Sequence, residues 1–223
     1  MNIALSSLRQ VLAVLTSCVL LPNVAQAAAP QVRTQAPGYF RAMLGDFEIT
    51  ALYDGSLELP LNKLFTNRTP DKVDKALARE FLHSPVETSV NAFLVNTGSK
   101  LVLIDAGAAK LFGPGLDKLL GNLKAAGYQP EQVDEVYITH MHGDHMGGLM
   151  SGDKIAFPNA IVRADRRDAE FWLSQDNLDK APAEMKQYFQ AARTSLDPYV
   201  AAGKFKPFDG DTDLAPGVKA IAT

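Results

Sequence analysis

Residues 134–149 read Asp-Glu-Val-Tyr-Ile-Thr-His-Met-His-Gly-Asp-His-Met-Gly-Gly-Leu, and no other stretch constrains the chain as tightly. Glu135 to Thr139 is alternating and β-branched or aromatic, which predicts a short strand. Where that strand runs out, His140, His142, Asp144 and His145 fall within six residues and use three of the chain's four histidines. Imidazole and carboxylate are natural ligands for a borderline divalent ion such as zinc. A turn at a strand end can aim alternate side chains at one point, and Gly143 lets the backbone bend between the ligands. Gly147 and Gly148 then allow close packing as the chain leaves the turn. The plainer reading is three unrelated histidines on a loop, and their spacing beside an acid argues against it.

This stretch resembles the H-x-H-x-D-H signature of the metallo-β-lactamase superfamily. Upstream, Leu101 to Gly107 (Leu-Val-Leu-Ile-Asp-Ala-Gly) looks like the strand and D-x-G turn that precede that signature. Residues 29–223 are similar to the methyl parathion hydrolase branch at Ala36–Tyr39, Asn96–Lys100, Leu123–Pro130 and Phe171–Gln175. Gly143 departs from that branch, where proline is expected; a glycine loosens the loop and removes no ligand.

The resemblance implies an α/β (α+β) fold, an αββα sandwich with metals at the strand ends between two sheets. It implies two divalent metal ions, with zinc the default and manganese, cobalt or iron left open by the ligand types. His140 and His142 are expected to hold one metal, and Asp144 and His145 the second. Asp105 is expected to orient a ligand histidine, although a turn-forming aspartate needs no metal. Phe112, Trp172 and Phe189 match the aromatic wall that binds substrate in that branch, although ordinary core packing would explain Trp172 and Phe189 equally. No histidine follows His145, whereas a full dinuclear site of that family also needs a downstream histidine, a bridging aspartate and a final histidine, which the resemblance places past Thr223. The sequence therefore reads as the N-terminal part of a longer enzyme and of its sandwich. The activity implied is hydrolysis of organophosphate triesters by a metal-bridging hydroxide, with Asp144 positioning it. The alternatives are a lactonase or other carboxylic-ester hydrolase, and a metal-dead binding scaffold. A homodimer is implied by the resemblance alone.

At 223 residues and 47% apolar composition, one domain with an ordinary core is expected. Net charge is −3 with no basic run, which argues against a nucleic-acid partner; a small-molecule substrate is what the resemblance implies. Arg9 is the only charge in residues 1–29. Val11 to Leu21 is an apolar run broken only by Thr16, Ser17 and Cys18, and Ala25-Gln26-Ala27 is a small-x-small cleavage pattern. Residues 1–27 thus read as a secretory signal peptide, too short for a membrane span, which sends the protein to the periplasm or medium. Leu15 to Cys18 is an alternative lipoprotein box that would place a lipid anchor on Cys18. Cys18 is the only cysteine, so cleavage after Ala27 leaves none for a disulfide or a thiolate ligand.

Residues 28–38 read as a flexible leading segment and 39–223 as the domain. Phe47 to Tyr53 predicts a strand, Asp54-Gly55 a turn, and 56–70 a long loop. Val73, Ala76, Leu77 and Phe81 have helical spacing, with Thr69 or Asp71 as cap. Val90–Val95 and Leu101–Ile104 predict a hairpin. Leu116, Leu119, Leu120 and Leu123 predict a helix closed by Gly127. A strand over 160–164, helices near 166–174 and 183–194, and a strand over 218–222 complete the order. Hairpins first, then strands alternating with helices, predict stacked sheets flanked by helices.

Overall fold

The computed structural model describes residues 29–223. The expected signal peptide and the Cys18 lipidation site lie outside those residues. Residues 29–35 carry no helix or strand, and 36–223 form the folded unit. That unit opens with the hairpin β1 (Tyr39–Leu44) and β2 (Phe47–Leu59), then α1 (Leu61–Leu64) and α2 (Pro70–Arg79). A second hairpin follows, β3 (Val86–Asn96) and β4 (Leu101–Ile104). Next come α3 (Leu119–Ala125), β5 (Glu135–Tyr137), α4 (Gly143–Met146), and the small hairpin β6 (Met150–Ser151) and β7 (Lys154–Ile155). Then β8 (Ile161–Arg163) leads into α5 (Arg166–Trp172), α6 (Gln175–Lys180) and α7 (Ala183–Ala201). The hairpin β9 (Thr212–Ala215) and β10 (Val218–Ala220) ends the series.

Six strands form one sheet in the order β1-β2-β3-β4-β5-β8. The first four pair antiparallel, while β4, β5 and β8 run parallel. The side-chain period of two gives the sheet two apolar faces. On one, Leu94, Leu103, Val136 and Val162 lie in register across four strands. They pack with Leu123 of α3, Trp172 of α5, and Phe189, Leu196 and Tyr199 of α7 in the main core. On the other, Val95, Val102 and Tyr137 meet Leu214 and Val218 of the terminal hairpin. A helical layer thus covers one face and a second piece of sheet the other. Among the described residues no helix is long and apolar enough to cross a membrane.

Several expectations need correction. Asp54-Gly55 is not a turn: β2 runs through it with a bulge between Tyr53 and Gly55, where Gly55 takes φ +148°. Residues 56–59 are therefore strand, and α1 interrupts the expected loop. Phe81 is not on the α2 face; it follows the helix at φ +59° and is 96% exposed. Leu116 precedes α3 and packs with Val90 and Ala108. Gly127 does close α3, at φ +95°, with the Tyr128 N–H donating to the Leu123 carbonyl. β1, α6 and β9 went unpredicted, and α7 runs seven residues past its expected end.

Candidate metal centre

Ligands of open parallel sheets gather beyond the carboxyl ends of the strands. Here three such ends lie side by side. Asp105 follows β4, Thr139 and His140 follow β5, and Asp165 follows β8. Asp105 sits at φ +58°, a conformation aspartate tolerates better than most residues. Its N–H donates to the Tyr137 carbonyl at 2.9 Å, tying β4 to β5. Its carboxylate accepts from the Thr139 N–H at 2.8 Å and from Thr139 Oγ1 at 2.9 Å. It also meets His145 Nδ1 at 2.8 Å. That contact fixes the His145 ring and turns Nε2 toward Asp144 Oδ2, 3.3 Å away.

Asp144 and His145 lie on the short helix α4, and His140 and His142 on the loop that leads into it. His142 precedes α4, and its carbonyl accepts from the N–H groups of His145 and Met146. The His140 ring lies 4.7 Å from that of His142 and 3.9 Å from that of His145, centroid to centroid. Burial and the neighbouring histidines hold the His140 pKa below its usual value. Burial works against charge on both Asp144 and His145, yet the Asp105 contact with His145 and the contact between the two outweigh it. Asp144 is lowered, and His145, faced by Asp105 as well, is raised to about 9. Among the described residues no three His, Cys, Asp or Glu side chains converge on one point closely enough to hold a metal as they stand. The donor types nevertheless suit a borderline divalent ion, with His145 held in the orientation a ligand needs.

Gly143 does not loosen this loop. It is buried as the first residue of α4, and a Cβ there would lie 3.2 Å from Leu111 Cδ1 and Phe112 Cε2. Close approach, rather than a bend, is what glycine provides. Gly147 and Gly148 do allow tight packing: added Cβ atoms would meet the Ala108 carbonyl oxygen at 2.4 Å and the Ala106 oxygen at 1.9 Å. In return, the Ala106 N–H reaches the His145 carbonyl at 2.7 Å and the Gly148 N–H reaches that of Gly107 at 3.1 Å.

Asp54 underpins that packing and was not singled out from sequence. Its carboxylate is buried and accepts from the N–H groups of Ala108, Lys118 and Leu119, at 2.9, 3.1 and 3.1 Å. It braces the loop after β4 that carries Leu111 and Phe112. The Asp-Gly pair gave no signal of this, because it also spells a turn.

The three aromatics are placed differently. Phe112 is 44% exposed and its ring faces Gly143. Trp172 is buried, with its ring 5.4 Å from His142 in an edge-on arrangement. Phe189 is also buried and packs against Trp172, ring centroids 4.7 Å apart and tilted by 54°. Tyr188, read from sequence only as part of a helical stripe, lies 6.3 Å from His142.

A mixed sheet backed by helices, with a histidine-rich loop at the ends of its parallel strands, defines a metallo-β-lactamase type of fold. Residues 85–218 match the profile of the metallo-beta-lactamase superfamily, and the chain belongs to that superfamily. Among solved structures it is similar to hydrolase AbOPH of the beta lactamase superfamily. The identity is 39%, over 81% of this chain and 64% of that one, with a TM-score of 0.75. It shares its fold with AidC, a dizinc quorum-quenching lactonase, at 24% identity, covering 80% of this chain and 64% of AidC, with a TM-score of 0.68. Beta-lactamase-like protein 2 homolog of Caenorhabditis elegans is 30% identical over 83 residues, 35% of this chain and 26% of that protein. The chain thus spans less than two thirds of the length of each of these relatives.

Proposed function

We propose that the whole protein is an exported, metal-dependent hydrolase that cleaves organophosphate triesters. The observation that carries the reading is the His140–His142–His145 ring cluster, held at the ends of parallel strands and locked through His145 by Asp105. His140, His142, Asp144 and His145 would hold two divalent ions, zinc by default, and the chemistry these would supply is Lewis acidity and a water made reactive toward phosphorus. The protein's own work is orientation. Asp105 holds Nδ1 of His145, so that Nε2, facing Asp144, is the nitrogen turned to the site, and Thr139 fixes Asp105 in turn. Asp144 contributes the negative charge that offsets the cations. Phe112 beside Gly143 and Trp172 beside His142 give the loop an apolar border on two sides. An apolar border of that kind suits an uncharged ester with a flat leaving group.

A lactonase is the second reading. The same border would accept an acyl chain, and AidC shares the fold. Elemental analysis of full-length protein, followed by paired assays with a dimethyl aryl phosphotriester and an acyl-homoserine lactone, decides among the readings. About two metals per chain and turnover of the phosphotriester are expected. Turnover of the lactone alone replaces the substrate class. Protein that neither carries nor takes up zinc, manganese or cobalt is a scaffold. Export belongs to the same proposal: mass spectrometry should find the mature chain starting at Ala28. A diacylglyceryl group on Cys18 would indicate lipoprotein processing, and an intact Met1 would refute export. A homodimer completes the proposal, and sedimentation of the full-length protein tests it.

A further inference from the structure

Asp168 lies in the first turn of α5, three residues after the helix cap Asp165. In sequence, Asp-x-x-Asp before an apolar run spells a helix-capping pair, with the second acid reaching back to the cap's own N–H. The structure uses the two acids differently. Asp165 caps the helix, accepting from the Arg167 N–H at 2.9 Å, and is pinned by the Arg167 guanidinium and the Gly210 N–H. Asp168 reaches away from its own helix, and its Oδ2 accepts from the Met141 N–H at 2.6 Å, 27 residues upstream. Met141 stands between His140 and His142, and its side chain is buried in the main core.

Three N–H groups at the end of β5 and in the loop after it are held by other parts of the chain. The Ile138 N–H goes to the Arg163 carbonyl, the Thr139 N–H to Asp105 and the Met141 N–H to Asp168. A hydrogen bond from an amide to a carboxylate is short and roughly twice as strong as a neutral one. Its place at the residue between two histidines fixes the direction in which both of them leave the backbone.

We propose that Asp168 is a positioning residue for the metal loop: it sets the relative placement of His140 and His142 through the Met141 N–H and touches no metal itself. The proposal rests on the metal reading above. Partners one step removed from a ligand typically govern about 10- to 100-fold of metal affinity.

The test is zinc affinity of full-length wild type, Asp168→Ala and Asp168→Asn, measured by competition with a chelator, beside the thermal midpoint of each metal-free protein. Asp168→Ala should bind zinc about 10- to 100-fold more weakly. Asp168→Asn, whose amide oxygen still accepts from Met141, should recover most of that loss. Equal losses in both variants would mean that the charge matters and the hydrogen bond does not, which overturns the proposal. So would a lowered midpoint with unchanged zinc affinity, the mark of a purely structural contact. If Asp168→Ala does not fold, Asp168→Ser takes its place, since its hydroxyl is too short to reach Met141, and the same losses are expected. Wild type that binds no zinc, manganese or cobalt overturns the metal reading and this inference together. Wild type that binds zinc with the same affinity as Asp168→Ala overturns this inference alone.

Discussion

Trp172 serves two neighbours at once. It is only 6% exposed and packs against Phe171 and Phe189, yet its ring also sits edge-on to His142. Truncation at such a position removes core volume before it tells anything about substrate. Trp172→Ala is expected to cost about 3–5 kcal/mol of stability. The gentler Trp172→Phe keeps an aromatic ring and should fold with its metals in place. If the ring edge borders the leaving group, kcat/KM for an aryl phosphotriester should fall at least 10-fold, roughly the low end for a changed apolar contact. The fall for a dialkyl substrate should be smaller. Steady-state kinetics on both substrates checks this, and an equal loss on the two removes Trp172 from the substrate wall. Asp144→Asn differs in kind: it removes a donor charge, so every substrate should suffer alike and metal content should drop.

Short elements carry the precision of the site. The bend from α4 into β6 is built on glycines that face backbone. Gly148→Ala would put a methyl 1.9 Å from the Ala106 oxygen, and no side-chain rotation relieves a clash with a carbonyl. The strand end at Ala106 or the His145 carbonyl bonded to it must shift. The expected cost is about 1–3 kcal/mol, with weakened metal retention, read by thermal denaturation and elemental analysis. At the start of α5, Asp165 is a pH-sensitive cap. Its Arg167 partner outweighs an opposing burial effect and, with the Arg167 and Gly210 N–H groups, lowers its pKa to about 2. A depressed acid stabilises the fold fully above its unfolded pKa, about 4. That contribution is lost as pH falls through the folded value. Asp165→Ala should therefore be about 1 kcal/mol less stable than wild type at pH 6, with the gap narrowing from pH 4 toward pH 2. A constant gap across a pH series of denaturation midpoints would show that the carboxylate charge contributes nothing. The same scale shows what sequence could reveal. The strand before His140 and the donors after it are contiguous, so pattern alone displayed them. Asp54-Gly55 was misread because the pair spells a turn, while here glycine permits a bulge inside a long strand. β1 is exposed on both faces and offers no alternation to read, and α6 buries none of its residues.

Over the whole molecule, the order of hairpins and then strand–helix alternation was enough to predict layered sheets and helices. The supports of the site were not legible, because they join distant parts of the chain. Asp54 and Ala108 are 54 residues apart, and Asp168 and Met141 are 27. Each of these carboxylates also has an ordinary local reading, as turn or cap. Such long-range bonds make the site a junction between elements: Asp105 closes β4 onto the loop after β5, and Asp168 ties that loop to the helix after β8. A metal bound there adds a further link that the unfolded chain lacks, so it must stabilise the fold as a whole. At a free metal concentration 100 times Kd the gain is about 2.7 kcal/mol per site, somewhat less if the unfolded chain binds metal through its histidines. For a chain of this size that corresponds to a rise in Tm of about 5–10 °C. Zinc added to full-length apoprotein should give that rise, and a chelator should reverse it. Asp144→Asn, with one donor charge gone, should show a clearly smaller rise at the same zinc concentration. An identical rise in Asp144→Asn and wild type would place the stabilising zinc away from the histidine loop, and the loop would then have no claim to the metal.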